Sequence, residues 1–246
     1  LRFAAGIIFF EDRDGLARLL ESIHLGFDYM FCLDGKFPNR PGKTDLSADG
    51  SREVVKSYSN AILLDAPWPE PQKRAEYLRL CAKYGCDYLV ILDTDEYAQN
   101  ADRASWQAFR EEAYRVVQLQ YAGRHHVFSI YIQVAARAYD NQVRHGDVWM
   151  KEGDVEYSHY PRLWYQPYNL EYYKGAHYYY RMKDPTHLYH KVPQVPSLEI
   201  IKSVKFRHDH ELRTAEHQDA RQQYQKWLVP YEAKLIHRWD ATHKPV

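Results

Sequence analysis

The chain has 246 residues and a mass of 29.3 kDa, enough to bury a full core, and it fits one large domain better than a string of small modules. Lys plus Arg and Asp plus Glu both number 33, so the net charge is zero and no global field is available to hold nucleic acid or an anionic membrane. Mean hydropathy is −0.66 although 45% of residues are hydrophobic, because 22 are tyrosines with a polar tip, the composition of a soluble chain.

Phe3 to Phe10 is a continuous apolar run of the kind parallel strands show when both faces are buried. It is too short to span a bilayer and lacks the basic flank and small-residue cleavage site of a signal peptide, so neither is expected. Leu16, Leu19, Leu20 and Ile23 follow at helical spacing, with Asp12 or Asp14 as N-cap and Gly26 at the stop. Tyr29 to Leu33 predicts a second strand ending at Asp34-Gly35. After a Pro/Gly/Asn-rich loop over 36–50, Ser51 or Asp49 caps a helix bearing Val54, Val55 and Tyr58. Strand three is Ala61 to Leu64. Beyond the proline-broken segment 67–71, a helix from about Gln72 to Tyr84 stops at Gly85, and strand four, Tyr88 to Leu92, runs into Asp93-Thr94-Asp95-Glu96.

This order predicts an α/β fold with a doubly wound parallel sheet. Ligands in such sheets sit beyond the carboxyl ends of the strands. Glu11, Asp12, Asp34, Asp65, Asp93 and Asp95 all stand there in the predicted arrangement.

The second half reads differently. A helix carries Trp106, Phe109 and Ala113, and a β-prone stretch runs from Val127 to Tyr139. Ten tyrosines between Tyr157 and Tyr189 fit twisted antiparallel strands with a half-wet face. A last strand is expected over Leu198 to Phe206, then helices over 212–228 and 231–239. The shift marks two halves of one domain, 1–100 and 101–246. Cys32, Cys81 and Cys86 are odd in number and lack metal spacing, so they read as buried thiols of a reducing, cytoplasmic compartment.

The sharpest local signal is the buried strand that delivers Asp93, Asp95 and Glu96 into one turn. Carboxylates crowded in this way repel unless a cation neutralises them, and hard oxygen ligands suit Mg²⁺ or Mn²⁺ with positions left for phosphate oxygens. The plainer alternative is that Asp93 caps a turn and its neighbours are solvated.

Several segments together resemble the GT-A glycosyltransferases, specifically the family 2-like enzymes that use nucleoside-diphosphate sugars. Gly6-Ile7-Ile8-Phe9-Phe10-Glu11-Asp12 with Leu16, Leu19, Leu20 and Glu21-Ser22-Ile23 is similar to the family's opening strand, acidic loop and first helix. Asp34 stands where the family has its strand-two aspartate. Ala48-Asp49-Gly50-Ser51-Arg52-Glu53 resembles the following segment, Gln72-Lys73-Arg74-Ala75 the basic start of the next helix, and Asp93-Thr94-Asp95 the DxD motif. Pro161-Arg162-Leu163-Trp164 with Gly175 and His177 resembles a later hairpin, where Tyr178 replaces the family's acidic residue. Val204 to His210 resembles the C-terminal histidine segment.

The resemblance implies a nucleotide-binding half followed by an acceptor half, and a sugar transfer that inverts the anomeric centre. It places Glu11 or Asp12 near the nucleotide, Asp34 on the base or ribose, Arg74 on a phosphate, Asp93 on the ribose or a metal-bound water, and Asp95 on the metal. Period-two alternation puts Val204, Phe206 and His208 on one strand face, making His208 the first candidate for a further metal ligand and His210 the second. An inverting displacement also needs a base for the acceptor hydroxyl. Asp154 is the first candidate, Glu156 and Asp184 stand behind it, and His177 is placed to assist. The resemblance favours a UDP-sugar donor. The acceptor is a glycan or another hydroxyl-bearing molecule, modified nucleic acid included. Two rivals use the same residues: a metal-dependent phosphohydrolase or nuclease, and a sugar-nucleotide-binding protein without a catalytic base.

Overall fold

The computed structural model describes residues 1–38, 44–99, 101–121, 128–136, 149–152, 155–167, 170–174, 179–182 and 200–208. The first half alternates strand and helix: β1 (Phe3–Phe9), α1 (Arg13–Ile23), β2 (Tyr29–Asp34), α2 (Ser51–Lys56), β3 (Ala61–Asp65), α3 (Glu70–Tyr84) and β4 (Tyr88–Leu92). Then follow β5 (Glu96–Gln99), α4 (Arg103–Tyr121), β6 (Phe128–Ala136), β7 (Trp149–Glu152), β8 (Val155–Tyr165), β9 (Leu170–Lys174), β10 (Tyr179–Met182) and β11 (Ile200–His208).

The main sheet runs β3-β2-β1-β4-β8-β6-β11-β5, with β7 added on β8, while β9 and β10 form a separate antiparallel pair. Strands β1 to β4 are mutually parallel, β8 is antiparallel to both β4 and β6, and β11 runs parallel to β6. The fold is therefore α/β, with a doubly wound parallel half extended by a mixed half. Because β1 has β2 on one side and β4 on the other, the strand order reverses at the β1/β4 boundary, and crevices in open α/β sheets form at such a switch point.

Period-two alternation between two cores explains why β1 and β4 are apolar throughout. Phe3, Ala5, Ile7 and Phe9 of β1 enter a core shared with Leu16, Leu19 and Leu20 of α1 and with Trp106 and Phe109 of α4. Ala4 faces the opposite way, into a core where Phe31, Leu33, Leu89 and Ile91 meet Tyr77 and Leu78 of α3. Two glycines set the spacing of these layers. A Cβ on Gly6 would lie 2.9 Å from the Tyr77 ring, and one on Gly26 would lie 2.3 Å from Trp106. Helix α3 ends at Gly85, whose φ of 63° lets its N–H return to the Cys81 carbonyl.

Some boundaries differ from the sequence expectation. α3 starts at Glu70 rather than Gln72, since Pro71 is tolerated in a first turn where no intrahelical N–H partner is needed. The last strand, Ile200–His208, continues two residues past the expected end at Phe206. β5 and β7 are additional strands of four residues each, with charged ends and little apolar pattern. The helices expected over 212–228 and 231–239 lie outside the described residues. All three cysteines are buried and free, and burial pushes the Cys32 thiol up. Among the described residues, no helix is long and apolar enough to cross a membrane.

Candidate functional site at the carboxyl end of the parallel strands

Asp34, the last residue of β2, is fully buried, yet its carboxylate is well supplied with donors. The Ser47 N–H lies 3.2 and 3.1 Å from its two oxygens, the Ser47 hydroxyl donates at 2.7 Å and the Arg52 guanidinium at 2.6 Å. The other arm of Arg52 reaches Asp65 at 2.8 Å, so one arginine from α2 ties together the ends of β2 and β3. The bond to Asp34 is the main reason that the Arg52 guanidinium holds its proton more tightly than usual.

Ser47 and its neighbours also organise the turn after β1. The Glu11 N–H donates to Ser47 Oγ at 2.8 Å, the Asp12 N–H to Ser51 Oγ at 3.3 Å and the Arg13 N–H to Asp49 Oδ2 at 3.0 Å. Asp49 Oδ1 accepts both the N–H and the hydroxyl of Ser51, at 3.1 and 2.6 Å. Three consecutive amides leading into α1 are thus satisfied by the segment 47–51. Folds that hold a pyrophosphate on the first helix leave such amides open for the ligand. Here these amides already have partners within the chain.

β4 supplies the acidic turn. The Glu96 N–H donates to the Asp93 carbonyl at 3.0 Å, and the Asp93 N–H donates to Glu96 Oε2 at 2.9 Å, closing the turn in both directions. The Thr94 hydroxyl donates to the Asp12 carboxylate across the β1/β4 switch point. Asp12 precedes α1 at the cap position, but its side chain makes no capping bond there. A Cβ on Gly15 would lie 2.7 Å from Asp12 Oδ1 and 3.0 Å from the Thr94 carbonyl oxygen, so glycine is needed for this approach.

Basic groups from the first turns of α3 complete the rim. Arg74 is buried and forks between Glu70 at 3.1 Å and Asp93 at 3.4 Å. Lys73 is buried too; its ammonium donates to the Gly35 carbonyl and stands 4.4 Å from the centre of the Phe37 ring. Asp95 and Glu96 are likewise buried. β5 pairs antiparallel with β11, and the register sets His208 opposite Glu96, beside the acidic turn.

The structure therefore gathers Glu11, Asp12, Asp34, Arg74, Asp93 and Asp95 around one end of the sheet, and the backbone of His208 arrives at the same turn. Asp154, His177, Asp184 and His210 lie outside the described residues, and Glu156 lies in β8 opposite Lys151. Sequence reasoning passed over Ser47 and Glu70, and gave Arg52 and Lys73 no role of their own. Glu70 and Arg74 are four apart, a spacing that signals such a pair on a helix. A serine that meets an aspartate 13 positions away leaves no comparable trace.

Among the described residues, no three His, Cys, Asp or Glu groups converge on a single point. A Mg²⁺-like ion takes only one or two carboxylates when phosphate oxygens complete its shell, so the oxygen donors of Asp93 and Asp95 fit that chemistry. Among the described residues, the buried charged side chains are Asp34, Glu70, Lys73, Arg74, Asp95 and Glu96, joined by the buried serines Ser47 and Ser51, and every one lies at this end of the sheet.

The sequence matches no protein-family model and no curated protein. Among solved structures it is similar to S. aureus TarS 1-349 in complex with UDP, at 13% identity and a TM-score of 0.42 over 68% of this chain and 47% of that one. The same S. aureus protein in complex with UDP-GlcNAc matches at 14% identity and a TM-score of 0.38, over 55% of this chain and 35% of that one. The mannose-1-phosphate geranyltransferase of Thermus thermophilus matches at 12% identity and a TM-score of 0.36, over 67% of this chain and 57% of that one. The chain thus spans about a third to somewhat over half the length of these proteins. The fold assignment rests on the strand order and register of the chain itself.

Proposed function

We propose that this chain binds a nucleoside-diphosphate sugar across the β1/β4 switch point and transfers the sugar to an acceptor hydroxyl with inversion. The observation that carries the proposal is that, among the described residues, buried charge is confined to that one end of the sheet. Burying ionisable groups is costly unless each is paired, and clusters of them beside a crevice are typical of sites that handle charged ligands.

In this reading Asp95, with Asp93 and His208, holds Mn²⁺ or Mg²⁺, and the cation offsets the charge that builds on the departing diphosphate. Asp93 faces the ribose and is oriented by Arg74, whose second partner, Glu70, fixes the guanidinium in turn. Arg74 therefore acts on the ligand chiefly through Asp93. Asp154, assisted by His177, takes the acceptor proton. A UDP-sugar is the first donor to try.

A thermal-shift screen of UDP, GDP, CDP and dTDP, each with and without Mn²⁺, tests the proposal on the wild type and on Asp95→Ala. A metal-dependent rise in Tm for one nucleotide, lost in the variant, is the expected result. No rise for any nucleotide in a well-folded wild type would remove the nucleotide-sugar reading and favour phosphohydrolase assays with the same metals.

A further inference from the structure

Glu11 is the second residue past the end of β1 at Phe9, and its φ is 48°, in the left-handed region that a non-glycine residue enters at an energetic cost. Such backbone persists only where the surroundings enforce it, and it concentrates at functional sites. The enforcing contacts are visible. The Ser47 hydroxyl accepts the Glu11 N–H at 2.8 Å while donating its own hydrogen to Asp34 at 2.7 Å, and Asp34 is anchored by Arg52 at 2.6 Å.

The carboxylates around the crevice differ sharply in how far they are committed. Asp34 receives Ser47 and Arg52, Asp12 receives Thr94, Asp65 receives Arg52 and Asp93 receives Arg74. Glu11 is half-buried, and among the described residues nothing donates to its carboxylate. A strained residue whose carboxylate receives no donor among the described residues is suited to hold a ligand.

We infer that Glu11 is the residue that reads the base of the nucleotide, and that Asp34 and Ser47 are positioning residues that hold Glu11 in its left-handed conformation. The inference rests on the nucleotide-binding reading above. Asp34 does not touch the base in this arrangement, because its oxygens are already taken. A carboxylate accepts and cannot donate, so the base must present a ring N–H, as uracil does at N3 and guanine at N1, whereas cytosine N3 is an acceptor and is disfavoured.

Isothermal titration of UDP, GDP and CDP in the presence of Mn²⁺ on the wild type, Glu11→Gln, Glu11→Gly and Ser47→Ala tests this, with Tm recorded for each. The wild type is expected to prefer UDP or GDP over CDP. Glu11→Gln can donate to cytosine, so its preference should fall by about tenfold or more, the scale of a hydrogen bond to a charged group. Glu11→Gly should lose affinity while its Tm stays level or rises, since glycine relieves the backbone cost; a purely structural Glu11 would lower both together. Ser47→Ala should weaken binding without changing the order of preference.

Unchanged affinity and preference in Glu11→Gln, or a wild-type preference for CDP, would overturn the inference and leave the nucleotide reading standing. No binding of any nucleotide to the wild type would remove that reading itself, and this inference with it.

Discussion

The two ends of the parallel strands are built from similar residues in opposite ways. At the amino end, charged groups stay near solvent and make local contacts. Asp87 accepts the Arg2 N–H at 2.8 Å, Asp28 accepts the Phe3 N–H at 2.7 Å, and Arg110 reaches Asp28 at 2.9 Å. These contacts close loops over the sheet, and each group keeps much of its hydration. At the carboxyl end Asp34, Lys73, Arg74 and Glu96 are withdrawn from water almost completely. A fold that needed only to close its loops had the cheaper solution available, as the amino end shows. The contrast is the one the proposed binding site requires, since a polar rim withdrawn from water costs stability that the amino end does not give up.

The comparison can be broken most directly by removing one aspartate from each end. Asp34→Ala strips the partner from Arg52 and from Ser47 within the core, and should cost about 3–5 kcal/mol in chemical denaturation. Asp28→Ala removes a pair whose aspartate side chain is 36% exposed, and should cost about 1 kcal/mol. Equal losses at the two ends would end the argument from buried charge.

A second variant separates packing from function. Gly26→Ala forces a methyl toward Trp106 at 2.3 Å and should destabilise by about 1–3 kcal/mol through overpacking, with nucleotide affinity retained in the protein that remains folded. Loss of affinity would mean that the amino end is coupled to the site.

The smallest effect lies at the start of α4, far from either argument. Asp102 accepts the Ser105 hydroxyl at 2.7 Å and its N–H at 2.8 Å, which holds the carboxyl below its ordinary range. A folded-state value below the unfolded one stabilises at pH values above the ordinary carboxyl range. That contribution fades as pH falls through the unfolded value and then the lowered folded value. Denaturation midpoints of wild type and Asp102→Asn should therefore differ slightly near neutrality and converge in acid; a gap that persists in acid would show that ionisation is not the cause.

Much of this organisation is legible in the residues. The strands β1 and β4 announce themselves because both faces are buried, so Phe3 to Phe9 and Tyr88 to Leu92 are apolar without interruption. The acidic residues at the strand ends are equally visible, since each follows such a run. The division of labour among them is not. Nothing about Asp34 in the sequence says that Ser47 and Arg52 have already claimed it, because those contacts cross a loop of a dozen or more residues. Lys73 reads as any helix lysine until its carbonyl partner is seen. β5 went unread because its four residues begin with Glu96 itself, and it is held by pairing with a strand more than a hundred positions later.

Hydrogen–deuterium exchange of the full chain with saturating UDP and Mn²⁺, against the free protein, locates a bound nucleotide along the backbone. Added protection is expected over residues 10–13, 47–52 and 93–96, with residues 24–28 and 84–87 unchanged. Protection at the amino end, or no added protection anywhere at saturation, would contradict a site at the carboxyl end.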